Sequence, residues 1–243
     1  MPDSGIPSNP SATKRPFSAR LQDAWRERSA FAQRFGWPAS LYDLAYRLAN
    51  KLADGRVLVA VILRPEGIAA TSLHNPHGYA MGFLSAEQIA CYAQTFGSKF
   101  LPSDSERVLA QGDRCYGILD GERLISFGWY SSHTTRIDSE TNIAFDPRYV
   151  YMYKGYTDPH YRGQALHALG MAQATKAWAT EGFAGLVSYV EANNFASLHS
   201  CYRLGYESFG RIRIARLAGR LRVWPSRSCR QYAFRVLLNA RDA

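Results

Sequence analysis

The chain has 243 residues, 47% hydrophobic and 13% aromatic, and a formal net charge of +9. That composition supports a sizeable core and excludes global disorder, and no apolar run reaches the roughly 18 residues of a membrane helix. Four scattered cysteines, Cys91, Cys115, Cys201 and Cys229, show no metal-ligand spacing, so no metal site is expected and the thiols read as reduced in a cytoplasmic protein.

Residues 1–17 are rich in Pro and Ser and lack the apolar core of a signal peptide, so they read as a disordered lead. Residues 18–54 are predicted as an N-terminal helical extension. Its first helix ends at Gly36. Its second starts near Pro38, repeats Leu41, Leu44, Leu48 and Leu52 at helical spacing, and ends at Gly55. The remainder, 55–243, is predicted as one mixed α/β domain. "RVLVAVILRP" reads as a buried strand and residues 65–80 as a loop. Ser85 caps a helix, and "SDSERVLAQGD" is a further short one. Asp120-Gly121 between two apolar runs suits a hairpin. "RYVYMYKGYT" is a strand crowded with tyrosine. Then come a loop "DPHYRGQA", a helix over 166–180, a strand "AGLVSYVE", a helix "NNFASLHSCYRLGY" and a final arginine-rich hairpin. "RQYAFRVLL" reads as an edge strand.

The basicity is local. From Ser208 onward nine arginines face a single acid, Asp242, which accounts for +8 of the +9. Two readings stay open. One is a solvated β-ribbon. The other is a surface for an anionic partner: cofactor phosphates, acidic carrier protein, anionic lipid or nucleic acid.

The stretch "YTDPHYRGQALH" joins a strand to a helix N-terminus. The first N–H groups of such a helix lack intrahelical partners, and the helix dipole favours an anion there. Arg162 adds a cation and Gly163 admits close approach. Alone this is an ordinary connection. Its order relative to "GLVSYVE" and "NNFASLHSCYRLGY" gives it weight, because together these pieces resemble the GNAT superfamily of CoA-dependent N-acyltransferases. Arg162 takes the first position of that family's pyrophosphate loop, and Asn194, Ser197, Gly205 and Tyr206 match its next helix. The resemblance covers about residues 57–215. It implies a mixed, mainly antiparallel central sheet flanked by helices, here with an N-terminal helical extension. It also implies an acetyl-CoA or other acyl-CoA donor, direct acyl transfer to a small-molecule or peptide amine, and acyl carrier protein as an alternative donor.

On that resemblance the cofactor-binding residues are Tyr156, Thr157, Arg162, Gly163, Gln164, Ala165, Leu166, His167 and Asn194. The sequence also departs from the family. Ala165 and His167 stand where loop glycines are common; Ala165 is tolerable if its φ stays negative, and His167 faces either ligand or solvent. The family's helix tyrosine aligns with Cys201, with Tyr202 one residue away, about 100° round the helix. The strand before the loop has no Glu. Glu191, Cys201 and Tyr202 are therefore the candidate catalytic residues. Lys154 either snorkels to the strand edge or enters the site. A non-catalytic protein of the same fold, binding acyl-CoA or nucleic acid, is the competing reading.

Overall fold

Two compact units, Met1–Arg47 and Leu48–Ala243, make up the chain. The computed structural model describes residues 17–102 and 105–239, so the expected disordered lead lies outside the described residues apart from Phe17. In the first unit helix α1 (Phe17–Phe35) is followed after Gly36 by α2 (Trp37–Ala53), whose last turns belong to the second unit. Asp43, 2% exposed, accepts from Arg28 Nη1 at 3.1 Å and from Arg47 Nε at 2.9 Å. A carboxylate so enclosed needs those cations. The leucine repeat of α2 points elsewhere: Leu41, Leu44, Leu48 and Leu52 are all exposed, and the buried side chains are Ser40, Asp43 and Tyr46. The helix forms where its apolar period predicts, but the opposite face is the buried one.

The second unit opens with β1 (Arg56–Leu63). A short β2 (Ala80–Phe83) begins at the last residue of the expected loop. Helix α3 (Ala86–Phe96) starts with a capping box, the Ser85 hydroxyl accepting from Gln88 N and the Gln88 side chain accepting from Ser85 N. After α4 (Ser105–Ala110) comes the expected hairpin, β3 (Arg114–Asp120) and β4 (Arg123–Ser131), but its two-residue turn is Gly121-Glu122, one residue later than Asp120-Gly121, because Asp120 is still paired with Arg123. Two unforeseen strands, β5 (Thr135–Arg136) and β6 (Thr141–Ala144), precede β7 (Val150–Thr157). The rest follows the expected order: α5 (Leu166–Thr180), β8 (Leu186–Glu191), α6 (Phe195–Leu204), β9 (Glu207–Leu217) and β10 (Arg220–Pro225). The last strand, β11 (Arg235–Leu238), joins β6 and β5 in a separate small sheet.

The main sheet has eight strands in the order β10-β9-β1-β8-β7-β4-β3-β2. It is mixed and mainly antiparallel, flanked by helices. Its one parallel pair is β7–β8, joined by α5 as crossover. β1 lies in the interior, antiparallel to both β8 and β9. Its residues Leu58 to Leu63 are at most 4% exposed, as suits a strand covered on both faces. One face of the β1, β8 and β9 half shares a core with Ile143 and Val236 of the small sheet and with Phe234 just before β11. Ile89 of α3 joins a core with Phe127 and Trp129 of β4, while Leu166 and Leu169 of α5 pack with Ile118 and Ile125.

Candidate functional site

β7 and β8 are paired at two positions only, Val150 with Leu186 and Tyr151 with Val187. Beyond these the strands part. On its other side β7 is bulged: Trp129 of β4 faces Lys154, but Tyr130 faces Met152, leaving Tyr153 as the extra residue. A bulge re-aims a side chain and frees backbone from the ladder. The gap between β7 and β8 holds a cavity of about 440 Å³. Its walls include Tyr153 and Gly155 of β7, Tyr189 of β8, His167 of α5 and Ser200 and Cys201 of α6. A second cavity, of about 380 Å³, is lined by Thr135, Asp138, Tyr151, Tyr153, Lys154 and Tyr189. Tyr151, Tyr153 and Tyr189 line both cavities, so the two meet at a tyrosine wall. Tyr151 stacks on Tyr153 at 6.1 Å and on Tyr189 at 6.3 Å.

The loop after β7 is braced from below. Asp158 accepts from His160 N at 2.9 Å and from Arg123 Nη2 at 2.8 Å. Those contacts, the backbone one largest, hold its carboxyl below the usual carboxylate range. The Tyr161 hydroxyl donates to Asp120 at 2.7 Å, and Tyr79 donates to the Gln164 side chain at 3.1 Å. Helix α5 starts without a side-chain cap, so its first-turn N–H groups stay available to an anion. Arg162 is exposed and makes no ion pair among the described residues.

Two points that the loop sequence leaves open have answers in the structure. Ala165 has φ +56°, in the left-handed region where a Cβ costs about 1 kcal/mol; the position has the conformation of a glycine and carries a methyl. His167, half-buried, lines the β7–β8 cavity. Its ring lies on Gly155, where a Cβ would overlap it, and burial lowers its pKa.

The other candidates separate. Cys201 lines the β7–β8 cavity, but burial pushes its thiol up to about 11, which makes it a poor proton donor to a thiolate of ordinary pKa near 8.5. Tyr202 is 45% exposed and lines a different hollow with Arg211 and Arg213; the 100° step round α6 carries it away from the cavity. Glu191 lies at the end of β8, paired with Leu58, and lines neither cavity. Asn194 is the N-cap of α6, its side chain accepting from Ser197 N at 3.1 Å. Tyr156 stacks on Phe127 in the core, and Thr157 lies 3.0 Å from the Ser126 hydroxyl. Leu166 is a core side chain, 3% exposed. Lys154 lines the second cavity and donates to the carbonyls of Ser98, at 2.9 Å, and Leu101; burial lowers its pKa.

Asp113, just before β3, escaped the sequence reading. It is 5% exposed and accepts from the Tyr153 hydroxyl at 2.8 Å. Burial is the largest influence and raises its pKa, while hydrogen bonds from Ser131 and Tyr153 and the charges of His133 and Arg107 pull the other way. Burial and the neighbouring carboxylate raise Tyr153 in turn. The sequence places it at the end of a short helix, but that helix stops at Ala110 and a turn at Gln111-Gly112 separates Asp113 from it.

The sequence matches no family model and no curated protein. Solved structures do match. A Drosophila protein is 18% identical with a TM-score of 0.47, over 76% of this chain and 59% of its own. A GCN5-related N-acetyltransferase-like protein from Streptococcus suis is 15% identical with a TM-score of 0.46, over 73% and 66%. A GNAT-family acetyltransferase from Colwellia psychrerythraea is 17% identical with a TM-score of 0.44, over 63% and 53%. The chain thus spans between about half and two thirds of the length of these structures. Most of the solved structures it is similar to are acetyltransferases of the GNAT family.

Proposed function

We infer that the chain is an N-acyltransferase, moving an acetyl or longer acyl group from acyl-CoA to an amine by direct transfer. The observation that carries this reading is the opening between β7 and β8, with an uncapped helix N-terminus and a free arginine beside it. The fit is chemical. Phosphates suit Arg162 and the N–H groups of the first turn of α5. The cavity below suits a pantetheine arm, and the tyrosine wall separates it from a polar cavity suited to an amine.

When bound, the donor supplies an activated thioester carbonyl. β7 beyond Tyr151 has no ladder partner on the β8 side, where only the Ser188 hydroxyl bonds the Met152 carbonyl, and backbone N–H groups left off the ladder suit a developing oxyanion. The Tyr153 hydroxyl gives its hydrogen to Asp113 and keeps its lone pairs. It accepts the amine proton as its own passes to Asp113, whose burial suits it to hold that proton. The new C–N bond replaces the C–S bond, and the sulfur takes up a proton from this pair or from solvent. Tyr153 and Asp113 replace Glu191, Cys201 and Tyr202 in these roles.

A second reading changes only the carrier. Between Asp158 and His167, Arg162 is the one Lys or Arg, which is sparse for a full CoA nucleotide. A pantetheine arm on acyl carrier protein makes no such demand.

Mass spectrometry of ligands co-purifying with the protein tests this, together with thermal shifts on CoA, acetyl-CoA and long-chain acyl-CoAs. Stabilisation by at least one acyl-CoA is expected. Absence of binding by every CoA species and by acyl carrier protein would sink it.

A further inference from the structure

The arginine-rich hairpin carries a feature that the acyl-transfer reading does not use. β1 pairs with β9 only as far as Arg56 opposite Ile214, so the hairpin tip projects beyond it as a two-stranded arm. Directly opposed residues share a face in an antiparallel pair. Arg213 opposes Trp224, Ala215 opposes Arg222, and Leu217 opposes Arg220. With Arg211, two places before Arg213, four arginines and a tryptophan therefore lie on one face. Ile212, Ile214 and Leu221 lie on the other and are buried.

The two faces treat charge differently. On the buried side Arg216 is matched by Glu140 and Asp54. On the outer side Arg211, Arg213, Arg220 and Arg222 are exposed and make no ion pair among the described residues, although Arg220 and Arg222 also line a hollow with Glu140 at the edge of β10. No Asp or Glu occurs from Ser208 to Asn239, and the nearest acid along the strand, Glu207, is bonded to Arg64 at 3.1 Å. Crowding four like charges on neighbouring positions costs stability. An anion of matching spacing would relieve that cost.

Two aromatic rings lie within the cluster. Trp224, 46% exposed, lies across the ladder from Arg213, and Tyr202 lines the hollow beside Arg211 and Arg213. Same-face positions along a strand repeat about every 7 Å. Planar guanidinium forks suit phosphate oxygens, and exposed rings between them offer platforms for bases. We propose that this outer face of β9 and β10, with Tyr202 of α6, binds a single strand of nucleic acid through its phosphates and stacked bases. A bilayer fits less well, because Leu217 and Trp224 are set apart by arginines and form no continuous apolar patch. An acidic protein fits less well, because it offers no bases to the two rings. The surface is separate from the acyl cavity, since Cys201 lines the cavity and Tyr202 the hollow.

Fluorescence polarisation of the full chain with labelled oligouridylate and oligothymidylate of about 20 nucleotides tests the proposal. Binding to at least one is expected. Four phosphate contacts to a single strand predict about a 50-fold loss of affinity between about 50 and 200 mM salt. Arg211→Glu, Arg213→Glu, Arg220→Glu and Arg222→Glu combined should abolish binding, with circular dichroism confirming the fold. Trp224→Ala should weaken binding about tenfold and leave the salt slope unchanged. No binding at the lower salt would overturn the proposal. So would binding indifferent to both variants, or arginine-dependent binding of phosphatidylglycerol vesicles or acyl carrier protein but of neither oligonucleotide.

Discussion

Tyr153 hands its hydroxyl hydrogen to Asp113 across 2.8 Å, from the extra residue of the β7 bulge to a buried carboxylate. Asp113→Asn and Tyr153→Phe should each lower kcat by about 10²-fold or more, with KM for acyl-CoA little changed. Equal effects on kcat and on acyl-CoA binding would mark the pair as structural.

The same carboxylate has a stability consequence. Burial raises its pKa on folding, so the folded chain binds this proton more tightly than the unfolded chain does. Stability is full below the ordinary Asp value and falls as pH rises through the folded one. Asp113→Asn keeps an uncharged side chain there and removes that loss. Its melting temperature relative to the parent should therefore be higher at pH 7 than at pH 4.

Ala165→Gly should relieve the left-handed strain at φ +56°. The gain is about 1 kcal/mol from the removed Cβ clash, less part of it for the extra freedom of glycine when unfolded. A rise of about 1–3 °C in melting temperature follows for a chain of this size. An unchanged or lower value would mean that the methyl makes compensating contacts.

Arg162→Glu places an anion where phosphates are expected. Affinity for CoA should fall at least tenfold while the thermal stability of the unliganded protein holds, since Arg162 makes no ion pair among the described residues. Isothermal titration reads the difference. If affinity is unchanged, the loop is not the phosphate cradle.

Gly155→Ala should destabilise the protein by about 1–3 kcal/mol, because the new methyl meets the His167 ring and lies 2.8 Å from Met152 Cε. His167→Ala in the same chain should recover part of that loss, and a double-mutant cycle measures the coupling. Additive losses would show that the histidine is free to move aside.

Much of the fold is legible in the sequence because its cues are local: the leucine period of α2, the Ser85 cap, Gly121 at the hairpin and the apolar run of β1. The opening between β7 and β8 is foreshadowed by the order of motifs that flank it. What is not legible depends on long-range register. Asp113 belongs with Tyr153 only because a bulge 40 residues later in the chain turns that ring toward it. Tyr202 and Cys201 are adjacent in sequence and part company across a helix. The exposed leucines of α2 show the same limit, since periodicity identifies a face without saying which face is covered.

The interior place of β1 also bears on how the molecule forms. Its two neighbours, β8 and β9, are made more than a hundred residues after it, as the register of Leu58 with Glu191 and with Ile212 requires. Until both exist, the most apolar strand of the chain has no partner on either edge. Closure of the sheet must await pairings of long sequence separation, which slows folding and lengthens the exposure of a sticky edge. A nascent chain halted before β8 would have made neither strand that pairs with β1.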